Sequence, residues 1–177
     1  MKKQLLILAV LFLSITAVNA QSKSDDGVVF GGGVNLALPI GNNFSTYYSF
    51  GIGLKVQAEK MFTDQVSGIG SIGYTDFFAK SFDDGSGNSV KASAFGLIPI
   101  LVGARYYAST NFFIGAQIGL GIGTGGGSST SGFDYLPQIG YNADQYQVVL
   151  GYNGLSESGG TINHLDLSFV YKFNSGK

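Results

Sequence analysis

The chain has 177 residues, with ten basic residues against eleven acidic ones, no cysteine, 28 glycines and only 12% charged residues. A net charge of −1 removes the electrostatic footprint of a nucleic-acid binder, and the lack of cysteine removes disulfides and thiolate chemistry. Soluble domains carry about a quarter of their residues charged, so this scarcity, with 14% aromatics, argues against an ordinary soluble globule and for a single transmembrane β-barrel.

The chain starts Met1-Lys2-Lys3, continues apolar over 5–17 and reaches Val18-Asn19-Ala20. A basic start, a short apolar core and a small-residue site make a secretory signal peptide. The apolar run is too short to cross a bilayer comfortably as a helix. Residues 1–20 are therefore expected to be cleaved, leaving Gln21 first. No Cys stands at the cleavage site, so a lipid-anchored form is not expected. Residues 21–27 are polar and acidic, a short flexible lead-in.

From residue 28 to 173 the sequence alternates with a period of two, which gives a strand one apolar face and one wet face. The first strand, 28–38, sets Phe30, Val34, Leu36 and Leu38 against Gly31, Gly33, Asn35 and Ala37. Residues 39–49 form a connection rich in turn formers. The second strand, 50–62, has Phe50, Ile52, Leu54, Val56 and Ala58 outside and Lys55, Gln57 and Glu59 inside. After a tight turn at Thr63-Asp64, the third strand spans 65–78, with Ser67, Ser71 and Thr75 on its wet face. Residues 79–93 form a long polar loop. The fourth strand, 94–107, carries Arg105 inward; Pro99 within it removes a ladder donor, so a bulge or weakened pairing is expected there.

A short turn at 108–110 leads to the fifth strand, 111–123, where Phe112 to Ile122 alternate without a break. Glycine and serine at 124–132 suggest a third long loop. The sixth strand, 133–141, places Asp134 and Gln138 inside; the seventh, 145–152, follows a turn at 142–144. A last loop at 153–160 precedes the eighth strand, 161–173, which carries Asp166, Ser168 and Lys172 opposite its aromatic face. The fold class is thus all-β, an eight-stranded antiparallel up-and-down transmembrane β-barrel.

Long connections at 39–49, 79–93, 124–132 and 153–160 alternate with short ones, which sets the long side outside the cell and both termini in the periplasm. Phe62, Tyr106, Phe112, Tyr141, Tyr146, Tyr171 and Phe173 fall at the periplasmic rim, and Phe50, Phe77, Phe133, Tyr135 and Tyr152 at the other, as two aromatic girdles. An eight-strand barrel is narrow enough for its own side chains to fill it. Glycines at 31, 33, 51, 53, 115, 119 and 121 relieve crowding inside. Lys55, Glu59, Arg105, Asp134, Asp166 and Lys172 all project into the lumen on this register, and buried charges persist only when paired. A salt-bridged plug is favoured over an ion-selective pore, with Glu59, Arg105 and Lys172 at similar depth near the periplasmic end.

The signal peptide, the eight alternating segments and the ending Phe169-x-Tyr171-x-Phe173 resemble the small outer-membrane β-barrel proteins of the OmpA/OmpX-like type. Stretches such as Ser49 to Leu54, Ile98 to Tyr107 and Gly140-Tyr141 share the likeness. The resemblance implies the outer membrane of a Gram-negative-type bacterium, its lipids as surroundings, and a monomer handled by periplasmic chaperones and the barrel-assembly machinery. It also implies that Phe169, Tyr171 and Phe173 form the assembly-signal strand. The four-residue periplasmic tail 174–177 departs from the usual terminal aromatic and weakens that signal.

No catalytic, cofactor or metal site is expected. His164, Asp166 and Ser168 share one face, but a nucleophile four residues from its base on a strand stands roughly 13 Å away, beyond hydrogen-bond reach. Residues 119–125 lack the lysine and the strand–turn–helix context of a phosphate loop. Asp83-Asp84 and the following glycines do not match the ligand spacing of a calcium loop. The expected function is a non-enzymatic integral outer-membrane protein with a structural or surface-interaction role through its loops. Alternatives are a small pore or carrier for hydrophobic or ionic solutes, a lipid-modifying enzyme, and a soluble lipocalin-like barrel.

Overall fold

The structure, a computed structural model, describes residues 27–41, 44–83, 89–91, 93–157 and 160–173. The expected export signal, most of the lead-in and the tail 174–177 lie outside the described residues. The strands are β1 (Val29–Ile40), β2 (Tyr48–Met61), β3 (Val66–Ala79), β4 (Ser81–Asp83), β5 (Ser89–Lys91) and β6 (Phe95–Tyr107). They continue with β7 (Phe112–Gly125), β8 (Ser128–Asn142), β9 (Tyr146–Glu157) and β10 (Gly160–Lys172); a single helical turn, α1 (Phe44–Tyr47), precedes β2. Among the described residues eight strands close into a barrel in the order β1-β10-β9-β8-β7-β6-β3-β2, while β4 and β5 pair apart as a small hairpin. All the pairings are antiparallel, including the seam between β1 and β10.

The barrel is inside out relative to a soluble one. Leu36, Ile52, Val102, Ile114, Ile118 and Phe169 are exposed, while Asn35, Gln57, Arg105, Gln117, Asp134 and Ser168 are buried. A lipocalin-like barrel needs the opposite arrangement. Closure leaves no open sheet edge, which hydrocarbon demands because it cannot hydrogen-bond one.

The short connections are held by their own polar groups. Thr63 Oγ1 accepts from the Gln65 and Val66 amides at 3.2 and 3.0 Å, and Ser109 Oγ accepts from Phe112 N at 3.2 Å. Ala143 N donates to Tyr146 O at 2.9 Å.

The opposite end differs from the sequence expectation. The segment 124–132 is not a long loop: β7 and β8 run on through it, pairing Thr124 with Ser129, and turn only at Gly126-Gly127. Both glycines have positive φ, 59° and 81°, as a two-residue hairpin turn of the primed type requires. Likewise β9 and β10 remain paired as far as Glu157 and Gly160. Ladder hydrogen bonds join backbones, so glycine and serine beyond the membrane do not end a strand whose partner continues. Within the other two connections, α1 and the β4–β5 hairpin are elements that strand periodicity did not reveal.

Pro99 weakens pairing without a bulge. Pairs between β3 and β6 stop at Ile72–Ile100 and resume in the same register at Thr75–Leu97, while Pro99 still faces Gly121 on β7. The register shift instead falls between Tyr48 and Gly51, at the foot of α1.

Phe77 also departs from expectation. It is only 1% exposed and points into the barrel, whereas Phe78 faces outward and tilts against Phe50 at 4.7 Å. Its odd number on β3 puts it with Ser67 and Thr75, and aromaticity alone had suggested a girdle. The other rim aromatics pair along the outer wall: Phe133, Tyr135 and Tyr152 stack in succession at 6.3 and 6.2 Å. At the end that carries the short turns, Tyr146 stacks on Phe169 at 5.4 Å and Phe112 meets Tyr141 edge-on at 5.2 Å.

Candidate functional site

The lumen is filled in three tiers. The lowest is built on Glu59 of β2. Its carboxylate accepts from Arg105 Nη1 at 2.7 Å, Tyr107 Oη at 2.6 Å, Ser67 Oγ at 2.6 Å and Gln147 Nε2 at 3.1 Å. Four donors from β3, β6 and β9 thus satisfy one anion across the barrel. Arg105 also donates to Gln147 Oε1 at 3.0 Å, and its guanidinium lies 4.3 Å from the centre of the Phe113 ring. Gln57 Nε2 reaches the same Gln147 oxygen at 2.8 Å, widening the net.

The middle tier centres on Asp166 of β10. Asn35 Nδ2 donates to it at 2.8 Å, Lys55 Nζ stands 3.8 Å away, and Ser168 hydrogen-bonds to its second oxygen. Lys55 Nζ also donates to Ser168 Oγ at 3.1 Å. Across the tier, Ser71 donates to Gln117 at 2.8 Å. The cavity among Asn35, Lys55, Thr75 and Asp166 measures about 30 Å³, close to one water's share of liquid volume.

The top tier is apolar. Phe44 from α1 meets Phe77 edge-on at 4.9 Å and Phe95 at 5.6 Å, with Ala37, Leu97 and Leu155 buried around them. The helical turn thus drops a phenyl ring into the mouth of the barrel.

The structure brings four of the six expected lumen charges together in two ion pairs, Glu59 with Arg105 and Lys55 with Asp166. Lys172 does not reach Glu59; its Nζ donates to Asn142 Oδ1 at 3.0 Å, at the rim of a mouth of about 470 Å³ on the short-turn side of the barrel. Asp134 sits apart, taking a hydrogen bond from Asn153 Nδ2 at 2.7 Å and no ion pair among the described residues. Phe169 and Tyr171 face outward, and the Phe173 ring lies over Gly32 at the seam.

Ser168 spends its hydroxyl on Asp166, and His164 packs edge-on against Phe77 at 5.2 Å. No hydroxyl–imidazole pair forms among these three. No group of three or more His, Asp or Glu able to hold a metal occurs among the described residues. The side chain of Asp83, and Asp84 altogether, lie outside the described residues. Sequence reasoning missed Tyr107, Gln147 and Phe44. Tyr107 carries the inward parity of Arg105, and Gln147 the parity opposite to outward-facing Tyr146, a signal that was present; Phe44 lies in a connection where parity means nothing.

No protein-family model matches the chain, and no curated protein matches its sequence. Solved structures do. The attachment invasion locus protein Ail of Yersinia pestis superposes with a TM-score of 0.58 at 14% identity, covering 82% of this chain and 97% of that one. Neisserial surface protein A gives 0.54 at 16% identity, over 82% and 95%. OprG of Pseudomonas aeruginosa gives 0.50 at 11%, over 83% and 95%. The fold is that of the small outer-membrane barrels. At such identities the likeness is one of fold.

Proposed function

We propose that this protein is a non-enzymatic integral barrel of the outer membrane of a Gram-negative-type bacterium, exported by its signal peptide. It serves as a plugged monomeric scaffold that presents hairpins at the cell surface. The observation that carries the proposal is the filled lumen: a buried Glu59–Arg105 ion pair below, a cavity of about 30 Å³ in the middle and an aromatic cap above. A channel needs a continuous wet path, and three filled tiers among the described residues support a plug over one. The extended hairpins β7–β8 and β9–β10 supply stiff surface for a partner. Ail, which shares the fold, is an attachment invasion locus protein solved with the heparin analogue sucrose octasulfate, and that supports a surface-interaction role. Outer-membrane lipids are the solvent of the outer wall; chaperones and the barrel-assembly machinery deliver the chain.

The test is membrane fractionation with a gel run before and after boiling, followed by conductance in planar bilayers. Recovery in the outer membrane, a band that shifts on heating and no steady conductance are expected. A steady ion current overturns the plug and restores the pore or carrier. Recovery in the soluble fraction overturns the membrane assignment itself.

A further inference from the structure

Among the described residues, five glycines point outward from the barrel strands: Gly32, Gly68, Gly70, Gly96 and Gly154. Four are roofed by a ring of this chain. A Cβ on Gly32 would stand 2.8 Å from the Phe173 ring, and one on Gly68 2.7 Å from Phe62. On Gly96 it would meet Tyr74 Oη at 2.6 Å, and on Gly154 the Tyr135 ring at 2.2 Å. Gly70 alone has no ring: its nearest neighbours would be Leu101 O and Val102 Cγ1, both at 3.9 Å.

The gap over Gly70 is a groove of about 520 Å³ in the outer wall. Its floor is the cross-strand pair Ala58–Gly70, with Phe30 on one side and Val102 on the other, all in one row of the sheet. The next row towards the cell surface, Val56–Ile72–Ile100, closes the upper end. The next row towards the periplasm pairs Gly68 with Lys60, the exposed base two residues beyond Ala58 on the same face of β2. The groove is therefore apolar along its length, and Lys60, which does not line it, stands one row beyond its lower end, beside the rim marked by Phe62 and Phe173.

We propose that this groove holds one acyl chain of an anionic phospholipid in the periplasmic leaflet, with its phosphate at Lys60. The proposal rests on the membrane-spanning assignment above. The depth fits, since Gly70 lies four residues above the start of β3, roughly 13 Å along the strand. An apolar slot of this volume takes hydrocarbon and refuses water. Charge complementarity selects the occupant: a basic residue near a lipid surface favours an anionic headgroup by about 1 kcal/mol, which is about fivefold in affinity.

The test is native mass spectrometry of full-length protein folded into phosphatidylglycerol or phosphatidylcholine vesicles and extracted in mild detergent. Wild type is expected to retain one lipid, phosphatidylglycerol about fivefold over phosphatidylcholine. Gly70→Leu fills the groove from the outer face, where a Cβ meets only ordinary contacts, and should lose the retained lipid of either kind. Lys60→Gln should keep one lipid and lose the preference. The unboiled gel shift of each variant separates the outcomes: no shift in wild type means the membrane assignment fails. A normal shift with lipid retention equal in wild type and Gly70→Leu overturns the groove. A wild-type dimer that Gly70→Leu dissociates also overturns it, in favour of a second copy of the chain.

Discussion

Replacing Arg105 by Met tests the lumen most directly. The side chain is 2% exposed and makes a 2.7 Å ion pair with Glu59, a 3.0 Å bond to Gln147 and a stacking contact with Phe113. Removing one partner of a buried pair costs about 3–5 kcal/mol, because the other charge stays desolvated. Glu59 keeps three donors, from Ser67, Tyr107 and Gln147, so Arg105→Met should cost about 3 kcal/mol, the low end of that range. The double variant Glu59→Gln/Arg105→Met removes both charges and should return to within about 1 kcal/mol of wild type. Glu59→Gln alone strands the Arg105 charge and adds its own cost to the cycle, so the coupling is at least about 2 kcal/mol, well above the roughly 0.5 kcal/mol within which independent sites add. Urea unfolding in phospholipid vesicles reads this through the unboiled gel band or through tyrosine fluorescence, since the chain has no tryptophan. A single variant within about 1 kcal/mol of wild type, or a strictly additive pair, would refute the reasoning.

Ile118 is 52% exposed on the outer wall of β7, and Ile118→Arg should lower stability by about 2–4 kcal/mol in vesicles if that wall meets the bilayer midplane; an unchanged urea midpoint contradicts a lipid-facing wall there. Gly103→Val should prevent folding, because a Cβ at that position falls 2.0 Å from Ala116 O, a backbone atom that cannot swing away; a normal gel shift would count against this tight approach of β6 and β7. At the Gly126-Gly127 tip, where both φ values are positive, a double change to Ala should cost about 1–2 kcal/mol per residue, whereas Asn-Gly should be nearly silent; equal stability of the two variants would argue against the tight turn.

How much was legible in the sequence follows from which force set each feature. Lipid on one side and a filled lumen on the other imprint a two-residue period, so Phe112 to Ile122 and Leu165 to Phe173 show both their strands and their faces. The same parity places Lys55, Glu59, Arg105 and Asp166 inward. Outside the bilayer the imprint vanishes. Thr124 to Gly132 looks like a loop by composition, yet its strands are held by backbone ladders that carry no side-chain signature. Phe77 shows the converse error: residue type suggested a rim position, while parity put it in the cap. The partner of Lys172 depends on side-chain reach at an open mouth, where Asn142 competes with Glu59, and no spacing rule decides that contest.

The seam has a consequence for timing. Gly31 pairs with Lys172, and Phe173 N donates to Phe30 O at 2.8 Å, so the first and last barrel strands clasp each other from opposite ends of the described chain. Contacts so remote in sequence form slowly. Seven strands can zip to their chain neighbours as they emerge, yet the sheet keeps two open borders until β10 arrives. Closure of the barrel therefore waits on its last strand. A chain interrupted after Glu157, before β10 begins, would be nearly complete in mass and yet keep both borders of its sheet open.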